Sequence, residues 1–228
     1  MKNDQSQQVE KLLNIKFNNR QLLEQAFIHR SYLNEHSRSH LEQNERLEFL
    51  GDAVLELTVT RYLYDHFYNA EGELTNWRSA LVKTESLASI STRLGLGEYL
   101  MLSKGEDKGG GRKRKTLLAN VFEALLGAIY LDQGYEAADK FVQDHVLTGL
   151  DDILKSKSYI DPKSRFQELA QERESTTPNY RVLTESGPDH NKHFVMGVYV
   201  GRKKLGAGEG ASKQAAQQAA AADALSRY

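Results

Sequence analysis

Glu45, Glu48 and Asp52 lie three and four residues apart in the run NERLEFLGDAVLEL, Asn44 to Leu57. At ~100° per residue the three acids share an arc of roughly 60° on a helix, with Leu47, Leu50, Val54 and Leu57 on the opposite side. No Lys or Arg interrupts the acidic row, and stacked like charges weaken a helix slightly unless something offsets them. A solvated acidic face is one reading. Phe49, a large aromatic close to the acids, argues for a partner at that face. A second run, LLANVFEALLGAIYLD, is strongly apolar but carries Asn120 and Glu123 at the same three-residue spacing. A carboxylate in such a setting is costly unless paired. A divalent cation shared by Glu48, Asp52, Asn120 and Glu123 would satisfy all four. The donors are oxygens, the chain has no cysteine, and His29, His36 and His40 do not read as a zinc site. The expected cofactor is therefore Mg²⁺ or Mn²⁺ rather than zinc.

Two helices facing each other must position these groups, and the surrounding sequence supplies a helical body. Leu12, Leu13, Ile15 and Phe17, then Leu22, Leu23, Ala26 and Phe27, repeat at helical spacing. Further helices are expected over Glu45–Phe67, Ser86–Leu94, Leu117–Leu131 and Glu136–Leu147. Glycine is dense only from Gly105 to Gly111, and Gly105–Lys115 reads as a flexible loop ending in four basic residues. Residues 1–154 are expected to form an all-α domain, and residues 155–160 a polar linker. Residues 161–228 should form a small α+β domain of order α-β-β-β-α. Asp161 caps its first helix, with Pro162 in the first turn. Strands follow at Tyr180–Leu183, His193–Val200 and Lys203–Ala207, then an Ala-rich helix at Lys213–Leu225.

Composition is that of an ordinary folded protein, 39% hydrophobic and 27% charged. The net charge of −1 hides an asymmetry: from Asp161 onward there are ten Lys and Arg against eight Asp and Glu, so the tail is mildly basic and the body acidic. No apolar run reaches the ~20 residues of a membrane span. MKNDQSQQVE is not a secretory signal, and a cytoplasmic protein is expected.

NERLEFLGDAVL resembles the signature of the ribonuclease III family. AFIHRSYLNE, EGELTNWRSALV, GGGRKRKTLLANVFEALLGAIYLD and the α-β-β-β-α tail occur in that family's order. The tail is similar to a double-stranded RNA-binding domain in DPKSRFQEL, GPDHNKHF and GAGEGASKQAA. The resemblance implies a Mg²⁺-dependent endoribonuclease of double-stranded RNA that processes ribosomal and messenger precursors. It also implies a homodimer that leaves short 3′ overhangs. Glu48, Asp52 and Glu123 match family metal ligands, and Asn120 stands where bacterial members usually have Asp. Glu45 matches a position near the scissile bond, Glu71 another acid of the catalytic valley, and Phe49 the aromatic that plugs into the partner subunit.

Against an RNA partner, further residues acquire roles. A lysine in a helix's first turn opposes the macrodipole, so Lys213 asks for a phosphate held by its ammonium and the helix N–H groups. Ser164, Gln167 and Gln171 share one polar helix face, suited to 2′-hydroxyls and minor-groove edges. His190 sits on the loop that the family inserts into the neighbouring minor groove. Arg112 and Lys113 in the basic run are placed to grip phosphate near the cut. The competing expectation is a non-catalytic double-stranded RNA-binding protein on the same fold, favoured by Asn120 alone.

Overall fold

The described residues of the computed structural model are 3–36, 42–156, 159, 161–188 and 192–228. They fall into two compact units, Met1–Tyr159 and Ile160–Tyr228. The first is helical, as the patterning predicts. Its helices are α1 (Asn3–Leu13), α2 (Arg20–Ala26), α3 (Arg30–Glu35), α4 (Glu45–His66), α5 (Glu71–Val82), α6 (Thr84–Arg93), α7 (Lys104–Lys108), α8 (Lys115–Gln133), α9 (Tyr135–His145) and α10 (Leu150–Ser156).

α8 is apolar on every side and takes the centre, as such a helix must. Leu117, Leu118, Val121, Phe122 and the stretch from Ala124 to Ile129 are all buried, and α2, α4, α6 and α9 pack around it. Phe122 stacks on Phe141 at 5.4 Å between ring centroids. Enclosing each such side chain favours folding by about 1.5–3 kcal/mol.

In α4 the expected core stripe holds at Leu47 and Val54, and Leu50 is half-buried. Leu57 is a correction: it is 58% exposed. It belongs to a second stripe with Phe49, 81% exposed, and Tyr64, 76% exposed. Steps of about seven or eight residues return to one side of a helix, and this side faces away from α8.

The second correction concerns Gly105–Lys115, which is not a loose loop. It contains α7, whose N-cap Ser103 accepts from the Glu106 N–H at 3.2 Å, and a tight turn at Gly111–Lys113. Glu106 and Asp107 supply the acids that brace the basic run.

The second unit is α11 (Pro162–Glu174), β1 (Asn179–Ser186), β2 (His193–Val200), β3 (Lys203–Gly210) and α12 (Lys213–Leu225). The antiparallel sheet has order β1-β2-β3. Phe166 and Ala170 of α11, Val198 and Val200 of β2, and Ala220, Ala221 and Ala224 of α12 form its core. Asp161 caps α11 by accepting from the Lys163 N–H at 2.9 Å, with Pro162 in the first turn, as expected. The strand expected to stop at Ala207 runs on to Gly210. Its glycines serve packing: a Cβ on Gly206 or Gly208 would lie 2.6 or 2.2 Å from the backbone of α12.

Candidate functional site

The acids of α4 meet α8 because two backbones touch. A Cβ on Gly51 would lie 1.7 Å from the Glu123 carbonyl oxygen, and one on Gly127 would lie 2.3 Å from the Leu47 carbonyl oxygen. Only hydrogen fits at either place. The close approach sets Glu48 and Asp52 against Glu123, and the electrostatics record it. Burial, then Asp52, then Glu48, push the Glu123 carboxyl up to about 7. Burial, then Glu45, raise Glu48, with Asp52 adding; a side-chain hydrogen bond from Asn120 works in the opposite direction. Glu48, Asp52, Asn120 and Glu123 thus form one interacting group.

The entry to α4 is fixed by Asn44, which is 4% exposed. Its side chain donates to the Ala26 carbonyl at 3.1 Å and its N–H to the Ile28 carbonyl at 2.9 Å. The same segment is tied to Met101, whose N–H donates to Phe27 O at 2.8 Å while His29 N–H donates to Met101 O at 3.1 Å. α8 is held from the other side, where Ser91 Oγ donates to the Leu118 carbonyl at 2.6 Å. Sequence reading missed Gly51, Gly127 and Asn44. The signal was there: two glycines inside long helices, each costing stability relative to Ala, imply close backbone contact.

Glu45 stands at the edge of this group. It accepts from Gln43 Nε2 at 3.0 Å and lies 3.8 Å from Arg30 Nη1. Glu71 opens α5 and lines a hollow of about 830 Å³ with Thr60, Tyr64, Asp65 and Arg78. Phe49 borders a different hollow, of about 590 Å³, whose apolar wall includes Leu22, Leu47, Leu50 and Leu131.

In the basic run, Arg112 and Lys113 differ sharply. Lys113 is exposed. The Arg112 guanidinium is engaged within the unit, by both oxygens of Asp107 and three backbone carbonyls.

On the second unit Ser164, Gln167 and Gln171 are all exposed on one face of α11, opposite buried Phe166 and Ala170. Ser164 Oγ donates to Asp161 at 3.2 Å. Lys213 opens α12 behind its N-cap Ser212, with Nζ 5.6 Å from the centroid of the Phe194 ring. His190 and His40 lie outside the described residues. No helix among the described residues is long and apolar enough to cross a membrane.

Comparison with known proteins agrees with this layout. The profile of the Ribonuclease-III-like family matches residues 19–150, and that of the double-stranded RNA binding motif matches residues 162–228. Ribonuclease 3 of Roseiflexus sp. (strain RS-1) is 45% identical over 216 residues, covering 93% of this chain and 91% of that protein. Ribonuclease 3 of Geobacillus thermodenitrificans (strain NG80-2) is 48% identical over 220 residues, covering 96% and 89%. The solved nuclease domain of ribonuclease III from Campylobacter jejuni is similar at 37% identity and a TM-score of 0.58, covering 65% of this chain and 97% of its own. A second structure of that domain, at 38% identity and a TM-score of 0.57, covers 61% of this chain and 94% of its own, and describes flexibility in a region involved in dimer formation. The chain belongs to the ribonuclease III family and is an endoribonuclease of double-stranded RNA, with a helical nuclease unit followed by an RNA-binding unit.

Proposed function

We infer that this endoribonuclease depends on Mg²⁺, held by Glu48, Asp52 and Glu123 with the Asn120 amide, and that Mn²⁺ can replace it. The observation that carries the reading is the state of Glu123. Its carboxyl is pushed up to about 7 by burial and two neighbouring acids, a repulsion that a bound cation would relieve. Among the described residues no three Asp, Glu or His groups close into a ready cage. Mg²⁺ does not require one. It keeps several waters and takes one or two carboxylates, with substrate phosphate oxygens completing the set. An all-oxygen donor set with excess negative charge fits that demand.

When bound, the ion supplies an activated water for attack on phosphorus and takes up charge on the departing oxygen. The chain's own groups do the rest. Glu48, Asp52 and Glu123 hold negative charge at a fixed place, Glu45 lies at the edge toward the scissile bond, and no side chain acts as nucleophile. Exposed Ser164, Gln167 and Gln171 read the minor groove, and Lys213 and Lys113 hold phosphates; His190 is proposed for the neighbouring groove.

The protein is further proposed to act as a homodimer in the cytoplasm, with Phe49 of each protomer entering the partner's hollow beside Leu50 and Leu131. Paired sites, one per strand, then leave short 3′ overhangs. The test is cleavage of a perfect duplex of about 30 base pairs, long enough to span an RNA-binding domain, with Mg²⁺, with Mn²⁺ and with EDTA. Cleavage that survives EDTA removes the metal from the mechanism. Sedimentation of Phe49→Ala at micromolar concentration tests the dimer: the substitution should shift it toward monomer.

A further inference from the structure

The basic run before α8 mixes two kinds of cation. Lys104, Lys108, Lys113 and Lys115 are exposed, whereas Arg112 is only partly exposed and each of its guanidinium nitrogens donates to a protein acceptor. Its Nε donates to Asp107 Oδ1 at 2.8 Å and its Nη2 to Asp107 Oδ2 at 3.1 Å. Its Nη1 reaches the carbonyls of Gly97, Glu98 and Leu100 at 3.1, 2.9 and 3.0 Å. Those carbonyls end the turn Leu96–Tyr99, so one planar group ties that turn, α7 and the approach to α8 together. The backbones meet there too: a Cβ on Gly97 would lie 2.3 Å from the Arg112 carbonyl oxygen. Arg114, the N-cap of α8, is exposed and makes a single ion pair with Glu106. A guanidinium with fixed acceptors on every nitrogen has no edge to offer a phosphate.

We propose that Arg112 is a positioning residue for the catalytic acids rather than an RNA contact: its clasp fixes the start of α8, and so fixes where Asn120 and Glu123 stand opposite Glu48 and Asp52. α8 is a rigid rod, so a shift at its first turn is carried along to Asn120 and Glu123, within the next two to three turns. Lysine cannot replace the clasp, because an ammonium is a point donor and not a fork. The inference rests on the reading of these acids as the metal site, and the experiment separates the two.

The full chain and the variants Arg112→Lys, Asp107→Asn and Glu123→Gln are compared in three measurements: Mn²⁺ binding without RNA by electron paramagnetic resonance, kcat and KM on one duplex, and duplex affinity against salt without divalent metal. Arg112→Lys should weaken Mn²⁺ binding and lower kcat by about tenfold or more, the usual cost of losing a group that orients a ligand. KM should stay within about twofold and metal-free duplex affinity unchanged, since the guanidinium makes no RNA contact to lose. Asp107→Asn keeps a single acceptor and should fall between, which serves even if Arg112→Lys folds poorly. Unchanged Mn²⁺ affinity in Arg112→Lys and Asp107→Asn, with affinity lost in Glu123→Gln, overturns the clasp. Weaker metal-free duplex binding by Arg112→Lys overturns it equally, since the guanidinium would then be contacting RNA. Unchanged affinity in all three variants overturns the metal-site reading, and the clasp with it.

Discussion

Where α4 crosses α8, Gly51 and Gly127 let two backbones touch; where α12 lies on β3, Gly206, Gly208 and Gly210 do the same. The two contacts are alike in sterics and opposite in electrostatics. The first drives three carboxylates and an amide together in a half-buried place, and Glu123 answers by holding its proton up to about 7. The second sets alanines against glycines, and the polar groups of the same unit remain solvated: Ser164, Gln167 and Gln171 on α11 and Lys213 on α12 are exposed. The difference separates a cluster whose like charges oppose one another from a surface whose polar groups are already solvated. Chemistry needs the strained arrangement because fixed charge in a poorly solvated place acts strongly. Binding does not, because phosphate contacts work at the surface and are tuned by salt.

The largest effect is expected from placing a methyl group in either contact. Gly51→Ala requires the backbones to part, since no real Cβ sits 1.7 Å from a carbonyl oxygen. Overpacking of this kind costs about 1–3 kcal/mol or more, and parting the acids should cut cleavage by over ~100-fold. Gly208→Ala should instead unfold or loosen the RNA-binding unit. That abolishes tight duplex binding at physiological salt while low-salt cleavage stays detectable. Thermal melts and cleavage at two salt concentrations check both, and equal damage to cleavage from the two changes would erase the distinction.

Glu123→Gln comes next. It should abolish cleavage and leave duplex binding nearly intact, as seen by gel shift. It also reverses an energetic debt. The folded-state carboxyl titrates near 7, above the ordinary 4.5, so between those values the native chain binds a proton that the unfolded chain lacks. Metal-free stability contributed by Glu123 is therefore present at low pH and declines as pH rises from about 4.5 to about 7. Melting temperatures in EDTA across that window should fall for the parent relative to Glu123→Gln, and added Mg²⁺ should restore the parent alone. Parallel curves for the two proteins would mean that Glu123 does not feel its neighbours.

Asn120→Asp is a finer probe. The added charge should strengthen the ion's hold and lower the Mg²⁺ needed for half-maximal cleavage, with metal-free RNA affinity unchanged or slightly reduced. Identical Mg²⁺ titrations for the two forms would remove Asn120 from the site. Inactivity of the parent even in high Mn²⁺, restored by Asn120→Asp, would show that the amide has silenced this member of the family.

The smallest effect is expected at Lys213. Lys213→Gln keeps the helix and its Ser212 cap, and should lower the slope of log affinity against log salt by about one while changing cleavage of bound duplex little. An unchanged slope would leave Lys213 as a cation resting on the Phe194 ring.

Much of this was legible from residue order. Periodicity gave the helical body and the α-β-β-β-α tail, because side-chain patterns of 3.6 and 2 residues are local properties of the chain. The acids of α4 could be grouped on one face, and Asn120 with Glu123 on one face of α8, because i, i+3 and i+4 spacing fixes which groups share a helix face. Leu57 escaped, since a helical wheel says which side a residue is on but not which neighbours cover that side. The basic run escaped for a related reason. Arg112 and Lys113 are adjacent and carry like charge, and only Asp107 and the carbonyls of Gly97, Glu98 and Leu100, distant or unremarkable in sequence, divide the bound guanidinium from the free ammonium. By itself, then, the sequence determined the elements and the residue types available for chemistry. Tertiary structure decided how close α4 and α8 come, which cations remain free, and how far Glu123 is desolvated. Those depend on contacts between residues far apart in the chain, where distance and burial set the energy of a charge and residue order does not.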